Sequence, residues 1–367
     1  MALHLECRLV PDAHGHGEGL LLKGDHLFVL VSDGIHAGIG EASHSGDDRA
    51  CVRQIKDLFK RFVNGIALSL ESIRDLEQDE LSSAPDFLTA TAVSGINQAL
   101  YELLAKREDV PVWRLLSSEL AQEQVPVYAT INRALTTRTA EDYLSVITDT
   151  QYHGLKAIKC APFERVTAYG DQLECSREGL AILRRIRSEY PDLNMMIDFH
   201  RRFNSEVFMQ LLPELDGLSP SWLEEPCEYG NVYEEITRRT STPIAAGESY
   251  FRREDFDNLL DCGWANVVMP DVKHVGGLGP LLDICQSAER HQEVEVSLHN
   301  PSGPVSTLAS LHAAAVSELI ASLEVPFIVD ESQVPYRDLL GGGSLQVPDG
   351  PGWGIDLSAA IGKGASI

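Results

Sequence analysis

The sequence is poor in positive charge: 30 Lys and Arg stand against 55 Asp and Glu, giving a formal charge of −25 and a pI near 4.8. Such a chain lacks the basic surface that tracks a phosphate backbone, so no nucleic acid partner is expected. It also lacks any run of the roughly 18 apolar residues that span a bilayer. Its first 30 residues carry His, Asp and Glu where a secretory signal would be apolar. A soluble, cytoplasmic protein without a membrane partner is the expectation. The cysteines, Cys7, Cys51, Cys160, Cys175, Cys227, Cys262 and Cys285, form an odd, scattered set with no Cys-x-x-Cys pair. That pattern suggests neither a disulfide framework nor a zinc site, and reduced core thiols are expected.

At 367 residues the chain is too long for one ordinary domain and suits a barrel of about 200–250 residues plus a smaller companion. Residues 1–124 read as an α+β cap. "HLECRLV" and "HLFVLVSDGIHAGIGEA" are strand-like runs, the second broken by a hairpin turn at Asp33 and Gly34. Three helical stretches follow, clearest over 86–109, where Ala92, Ile96, Ala99, Leu100, Leu103 and Leu104 recur at helical spacing.

From 125 to 330 the rhythm becomes apolar strand, loop, amphipathic helix. Eight strands are predicted, at 127–131, 157–161, 195–200, 221–226, 243–249, 265–272, 295–300 and 321–326. Helices between them include 176–190, capped by Ser176, and 279–292. This alternation predicts an α/β fold, a (β/α)8-type TIM barrel rather than an open doubly wound sheet. Residues 331–367, with "QVPDGPGWGIDL", return to strand and turn chemistry and are expected to pack back on the cap.

Asp198, Glu224, Glu248, Asp271, His299 and Glu324 fall at or near successive strand ends, 26, 24, 23, 28 and 25 residues apart. Each step is one strand–helix unit, and barrels build active sites at that end. Three carboxylates converging there repel by several kcal/mol at an effective dielectric of about 20 unless a cation neutralises them. All-oxygen ligation selects a hard ion such as Mg²⁺, with Asp198, Glu224 and Glu248 as ligands. Of the pair Glu224 and Glu225, alternation along a strand lets only one face inward; Glu224 is assigned inward and Glu225 beside it. Asp271 fixing one nitrogen of His299 makes a proton-abstracting pair.

Together "MMIDFH", "WLEEP", "AAGES", "MPDVKHVGG", "SLHNP", "SLEVP", "TAVSGINQALYELLAKREDVPVWRLL" and "DGPGWGIDL" resemble the enolase superfamily, in its mandelate racemase-like subgroup. The resemblance spans nearly the whole chain. It implies Mg²⁺ on the three carboxylates, the His299 and Asp271 base, Glu324 near the substrate carboxylate, and a homo-oligomer. It also implies removal of the proton α to a carboxylate, giving a metal-stabilised enediolate.

The subgroup usually shows Lys-x-Lys on the second barrel strand, whereas this chain has Lys159, Cys160, Ala161. Lys159 takes the first position, polarising the substrate carboxylate or acting directly in proton transfer. Lys156 falls on the opposite face and does not replace the missing lysine. With a base on the His299 side only, racemisation is disfavoured, and β-elimination of water from an acid sugar is the expected reaction. His200, two residues after Asp198, is a second candidate acid or a partner for substrate hydroxyls. Arg201 and Arg202 are assigned ion-pair or surface roles. The loops 11–19, with His14 and His16, and 41–48 are the candidates for setting specificity. Two alternatives stay open: a cycloisomerase expelling a ring oxygen from the same enolate, and a non-catalytic scaffold. A phosphate site at "GGLG" (276–279) is the weakest reading.

Overall fold

The apolar runs of the second half become parallel strands because both their faces are covered. In the computed structural model, which describes residues 2–10, 25–81, 86–291, 294–327, 334–362 and 365–366, these are β4 (Gln124–Thr130), β5 (Ala157–Cys160), β6 (Asn194–Asp198), β7 (Trp222–Glu224), β8 (Ile244–Ala246), β9 (Val267–Val268), β10 (Glu295–Leu298) and β11 (Ile320–Pro326). Each pairs with the next in parallel, and β11 returns to β4, closing an eight-stranded barrel. Seven helices alternate with the strands, from Ala140–Tyr152 to Pro304–Ala314. The expected TIM-barrel architecture is therefore present. Among the described residues no helix is long and apolar enough to cross a membrane. All seven cysteines are free, and five are buried, with Cys175 half-buried and Cys262 exposed.

Two local expectations are corrected. The second barrel helix runs Gln172–Glu189, and its cap is Asp171, whose side chain accepts from Glu174 N at 3.1 Å. Ser176 lies inside the helix and returns its hydroxyl to Leu173 O, a mid-helix serine being indistinguishable from a cap by type alone. Likewise β6 stops at Asp198, so His200 follows in a turn with φ +50° instead of continuing the strand.

In the cap, β1 (His4–Val10), β2 (His26–Ser32) and β3 (Ala37–Glu41) form an antiparallel sheet joined by the expected Asp33–Gly34 turn. Asp33 Oδ1 accepts from both Ile35 N and His36 N at 2.8 Å. The helix Phe87–Arg107, capped by Asp86, is buried from Thr89 through Ala105 because it lies between this sheet and the barrel. Contact with the sheet is close enough that a Cβ at Gly40 would meet Gly95 O at 1.9 Å. Edge strand β3 is completed by helix side chains: Ile39 N donates to Glu102, and Glu41 exchanges two hydrogen bonds with Gln98. On the other side Thr91, Ser94 and Asn97 meet His274, Gly276 N and Leu278 N of the barrel.

The C-terminal segment touches both parts. β12 (Leu340–Gly341) and β13 (Ser344–Gln346) extend the barrel sheet beside β4. Trp353 Nε1 then donates to Ile39 O of the cap, and β14 (Ala365–Ser366) pairs with β1.

One buried carboxylate pins cap to barrel. Glu41 accepts from Gly303 N at 2.8 Å and Ser306 N at 3.0 Å, capping the helix Pro304–Ala314, which has no cap of its own. Burial pushes its carboxyl up, but His26, Ser306 N and Lys273 outweigh it and hold Glu41 at about 2 against an ordinary 4.5. A value lowered on folding stabilises above the unfolded pKa and loses that contribution as pH falls from 4.5 toward 2. Glu41→Gln is expected to lose about 1–3 kcal/mol at pH 7 in urea unfolding. Its gap to the parent protein should narrow as pH drops through 4.5; an unchanged gap at pH 3 would contradict this role.

Candidate active site

Asp198 and Glu224 end neighbouring strands and are directly paired across the β6–β7 ladder, so their side chains leave on the same face. Glu248 follows β8 after Gly247, whose φ of +113° turns the chain at the barrel rim. Oxygens of these three carboxylates lie within 4.8 Å of one another. The predicted trio is brought together. Glu225, at φ +42°, leaves the strand and is buried elsewhere, accepting from the Tyr229 hydroxyl and pairing with Arg201 Nε at 3.1 Å. Among the described residues Arg202 donates to the carbonyls of Glu164 and Val166.

Lys159 is 2% exposed and lies between two acids, donating to Glu224 Oε1 at 2.7 Å and Glu324 Oε2 at 3.1 Å. Burial works against its charge, but those carboxylates raise the ammonium well above its ordinary range. Glu224 Oε2 accepts from Trp222 Nε1 at 3.1 Å. Burial, with Asp198 and Glu248 nearby, pushes the Glu224 carboxyl well up despite Lys159. One ammonium does not neutralise this cluster, and its all-oxygen donor set fits a hard divalent cation. The missing second lysine is confirmed in space: Ala161 is buried with its N–H on Asn132 Oδ1, and Lys156 is exposed ahead of β5.

His299 Nδ1 lies 2.9 Å from Asp271 Oδ2, and its Nε2 lies 3.0 Å from Glu248 Oε2 and 3.9 Å from Glu324 Oε2. Burial disfavours the imidazolium, but Glu248 and Asp271 outweigh it and raise His299 to about 10. His200 places Nε2 2.9 Å from Asp198 Oδ2 while its N–H donates to Oδ1. Burial opposes its charge too, and Asp198 raises it to about 9. All eight predicted residues thus occupy one barrel mouth.

Several neighbours escape a sequence reading. Lys273 is fully buried and donates to Asp271 Oδ2 alongside His299; "DVK" carries a signal only once Asp271 is placed. Asn300 donates its N–H to Glu324 Oε2 at 3.1 Å and its side-chain amide to Thr307. His44, in the 41–48 loop, meets Ser302 Oγ at 2.8 Å. The 11–19 loop, with His14 and His16, lies outside the described residues. The phosphate reading of "GGLG" is overturned. The N–H groups of Gly276, Leu278 and Gly279 are taken by Ser94, Asn97 and the carboxylate of Glu77.

Residues 25–117 match the mandelate racemase / muconate lactonizing enzyme N-terminal domain, and residues 145–361 match the enolase C-terminal domain-like model. The chain belongs to the mandelate racemase / muconate lactonizing enzyme family of the enolase superfamily. Within this family it is 29% identical to a D-galactonate dehydratase of Ralstonia pickettii, over 74% of this chain and 72% of the other. It is 26% identical to a D-xylonate dehydratase of Haloferax volcanii, over 92% and 85%. A mandelate racemase/muconate lactonizing enzyme-like protein from Rubrobacter xylanophilus superposes with a TM-score of 0.85 at 25% identity, covering 99% and 97%.

In this family member Lys159→Met strands two buried carboxylates, and breaking a buried pair costs about 3–5 kcal/mol. Adding Glu224→Gln and Glu324→Gln should restore part of that loss, read as a non-additive cycle in chemical denaturation. Strict additivity would show that Lys159 is not balancing those acids.

Proposed function

We propose that the chain is a Mg²⁺-dependent acid sugar dehydratase, removing the proton α to a carboxylate and eliminating the β-hydroxyl as water. The observation that carries this reading is the juxtaposition of a three-carboxylate cluster with a histidine–aspartate pair at one rim, His299 Nε2 lying 3.0 Å from Glu248 Oε2. Dehydratase names among relatives matching most of the chain support the reaction class, and their D-galactonate and D-xylonate substrates support a polyhydroxy carboxylate.

Asp198, Glu224 and Glu248 would hold the cation. When bound, it supplies a fixed positive charge against which negative charge on the substrate carboxylate oxygens accumulates. Lys159, protonated between Glu224 and Glu324, presents a second positive charge to that carboxylate. Asp271 holds the Nδ1–H of His299, leaving Nε2 to take the α-proton. The abstracting form is the neutral imidazole, and Glu248, the group that most raises His299, is also one of the carboxylates a cation would share.

The C–H electron pair becomes the Cα–Cβ double bond as the Cβ–O bond breaks. The departing hydroxide takes a proton from His299 and leaves as water, and the enol relaxes to a 2-keto acid. His299 has a carboxylate, Asp271, on its Nδ1, whereas the Nδ1 of His200 is buried without a partner among the described residues, which favours His299 over His200 as donor. His200 is then a holder of Asp198. The free thiols accord with a cytoplasmic setting.

Purified protein with Mg²⁺ and a panel of aldonates and aldarates should release 2-keto acid, detected with semicarbazide. EDTA should abolish turnover, and His299→Asn should lower it by about two to four orders of magnitude with the fold unchanged. Turnover surviving chelation would refute the metal assignment. Consumption of lactone or anhydro forms without keto acid would favour the cycloisomerase.

A further inference from the structure

The proposed chemistry leaves one interior side chain of β7 without a role. Trp222 lies two residues before Glu224, so both side chains enter the barrel. Its Nε1–H donates to Glu224 Oε2 at 3.1 Å, while Lys159 Nζ takes Oε1 at 2.7 Å. The ring is 5% exposed and packs edge-on against Tyr128, with centroids 5.2 Å apart and planes at 88°. Tyr128 in turn lies 5.8 Å below Lys159 Nζ. Met196, Ala245, Val267 and Met269 complete the layer. Trp222 also lines a cavity of about 400 Å³ with Asn194, Ser221, Pro243 and Asn266, all near the opposite ends of the strands.

We propose that Trp222 is a positioning residue for the metal: its indole N–H fixes the Glu224 carboxylate in the orientation that meets the cation. This rests on the reading of Glu224 as a ligand. An indole N–H is a donor only, so it neither ligates nor accepts a proton and acts solely through the oxygen it holds. Lys159 and Trp222 take one oxygen each, which pins both torsions of the carboxylate head and leaves its remaining lone pairs for an ion. The wedge against Tyr128 fixes the indole itself. Outer partners of this kind orient ligands and are worth roughly 10–100-fold in metal affinity.

Trp222→Phe keeps a ring in the layer and removes the donor. Titration calorimetry with Mg²⁺ on the full chain should show affinity reduced roughly 10–100-fold relative to the parent protein, and calorimetric melting without metal should show a much smaller effect. A purely structural tryptophan would lower the melting temperature and leave the affinity in place. A second measurement does not depend on Trp222→Phe. In indole ¹⁵N–¹H spectra of the parent protein, with its four tryptophans, one resonance should move on adding Mg²⁺. That same resonance should move in Glu224→Gln without metal. Parent-like affinity in Trp222→Phe, or no indole responding to both changes, would overturn the proposal. Should the parent protein bind no Mg²⁺, or Glu224→Gln bind it normally, the ligand reading itself fails, a separate outcome.

Discussion

Negative charge crowded into a buried volume is the condition to which the rest of the barrel mouth answers. Glu224 and Glu324 are essentially inaccessible, and Asp198, Glu248 and Asp271 surround them. Like charges 4 Å apart repel by about 4 kcal/mol each at an effective dielectric of about 20. Each acid therefore holds an N–H donor: Lys159 for Glu224 and Glu324, His200 for Asp198, His299 for Glu248, Lys273 for Asp271. The basic side chains of the site are set where the acids require them. The same electrostatics that set His299 against Glu248 and Asp271 also suit the three-carboxylate cluster to a cation.

The cap sustains this arrangement by gripping the chain just beyond Asp271 and His299. Asp271 leads into the helix Leu278–Ala288, whose first N–H groups are held by Asn97 and Glu77. His299 leads into the helix Pro304–Ala314, whose first turn is held by Glu41. In both cases an acceptor from the cap satisfies orphan N–H groups at a helix start. A shift of the cap therefore moves the two segments that bear Asp271 and His299. The cap sheet, through Glu41, and the long helix Phe87–Arg107, through Asn97, thus hold the segments that follow His299 and Asp271.

The barrel was legible because each strand–helix unit repeats one pattern, apolar strand with a polar end, and because Asp198, Glu224, Glu248, Asp271, His299 and Glu324 keep that period. What was not legible depended on partners far away in sequence or on where a strand stops. Gly276 to Gly279 read as a phosphate loop because Ser94, Asn97 and Glu77, which consume those N–H groups, lie about 180 residues or more earlier. His200 was placed by strand alternation, yet the strand had already ended, and a left-handed turn delivers it to Asp198 by another route. Ser176 stood for Asp171 because residue type alone does not say which polar group meets the free N–H groups. Lys273 and Trp222 gain meaning only once the oxygen each one holds has been located.

Ala161 bears on the choice of reaction through space as well as through type. Lys159 is spent on two carboxylates, and Ala161, just past the end of β5, offers only a methyl group in a buried setting, its backbone N–H closed by Asn132. No proton carrier stands at that position, while His299 faces the acids from β10 with a carboxylate behind it. In the proposed reaction a carbanion formed there has a proton source on the side it lost one from, and reprotonation from that side regenerates the substrate. A bond other than C–H therefore breaks in the proposed reaction, and a β-hydroxyl is the leaving group a polyhydroxy acid carries. Alanine where the resemblance leads one to expect a second lysine thus supports the proposed elimination over racemisation.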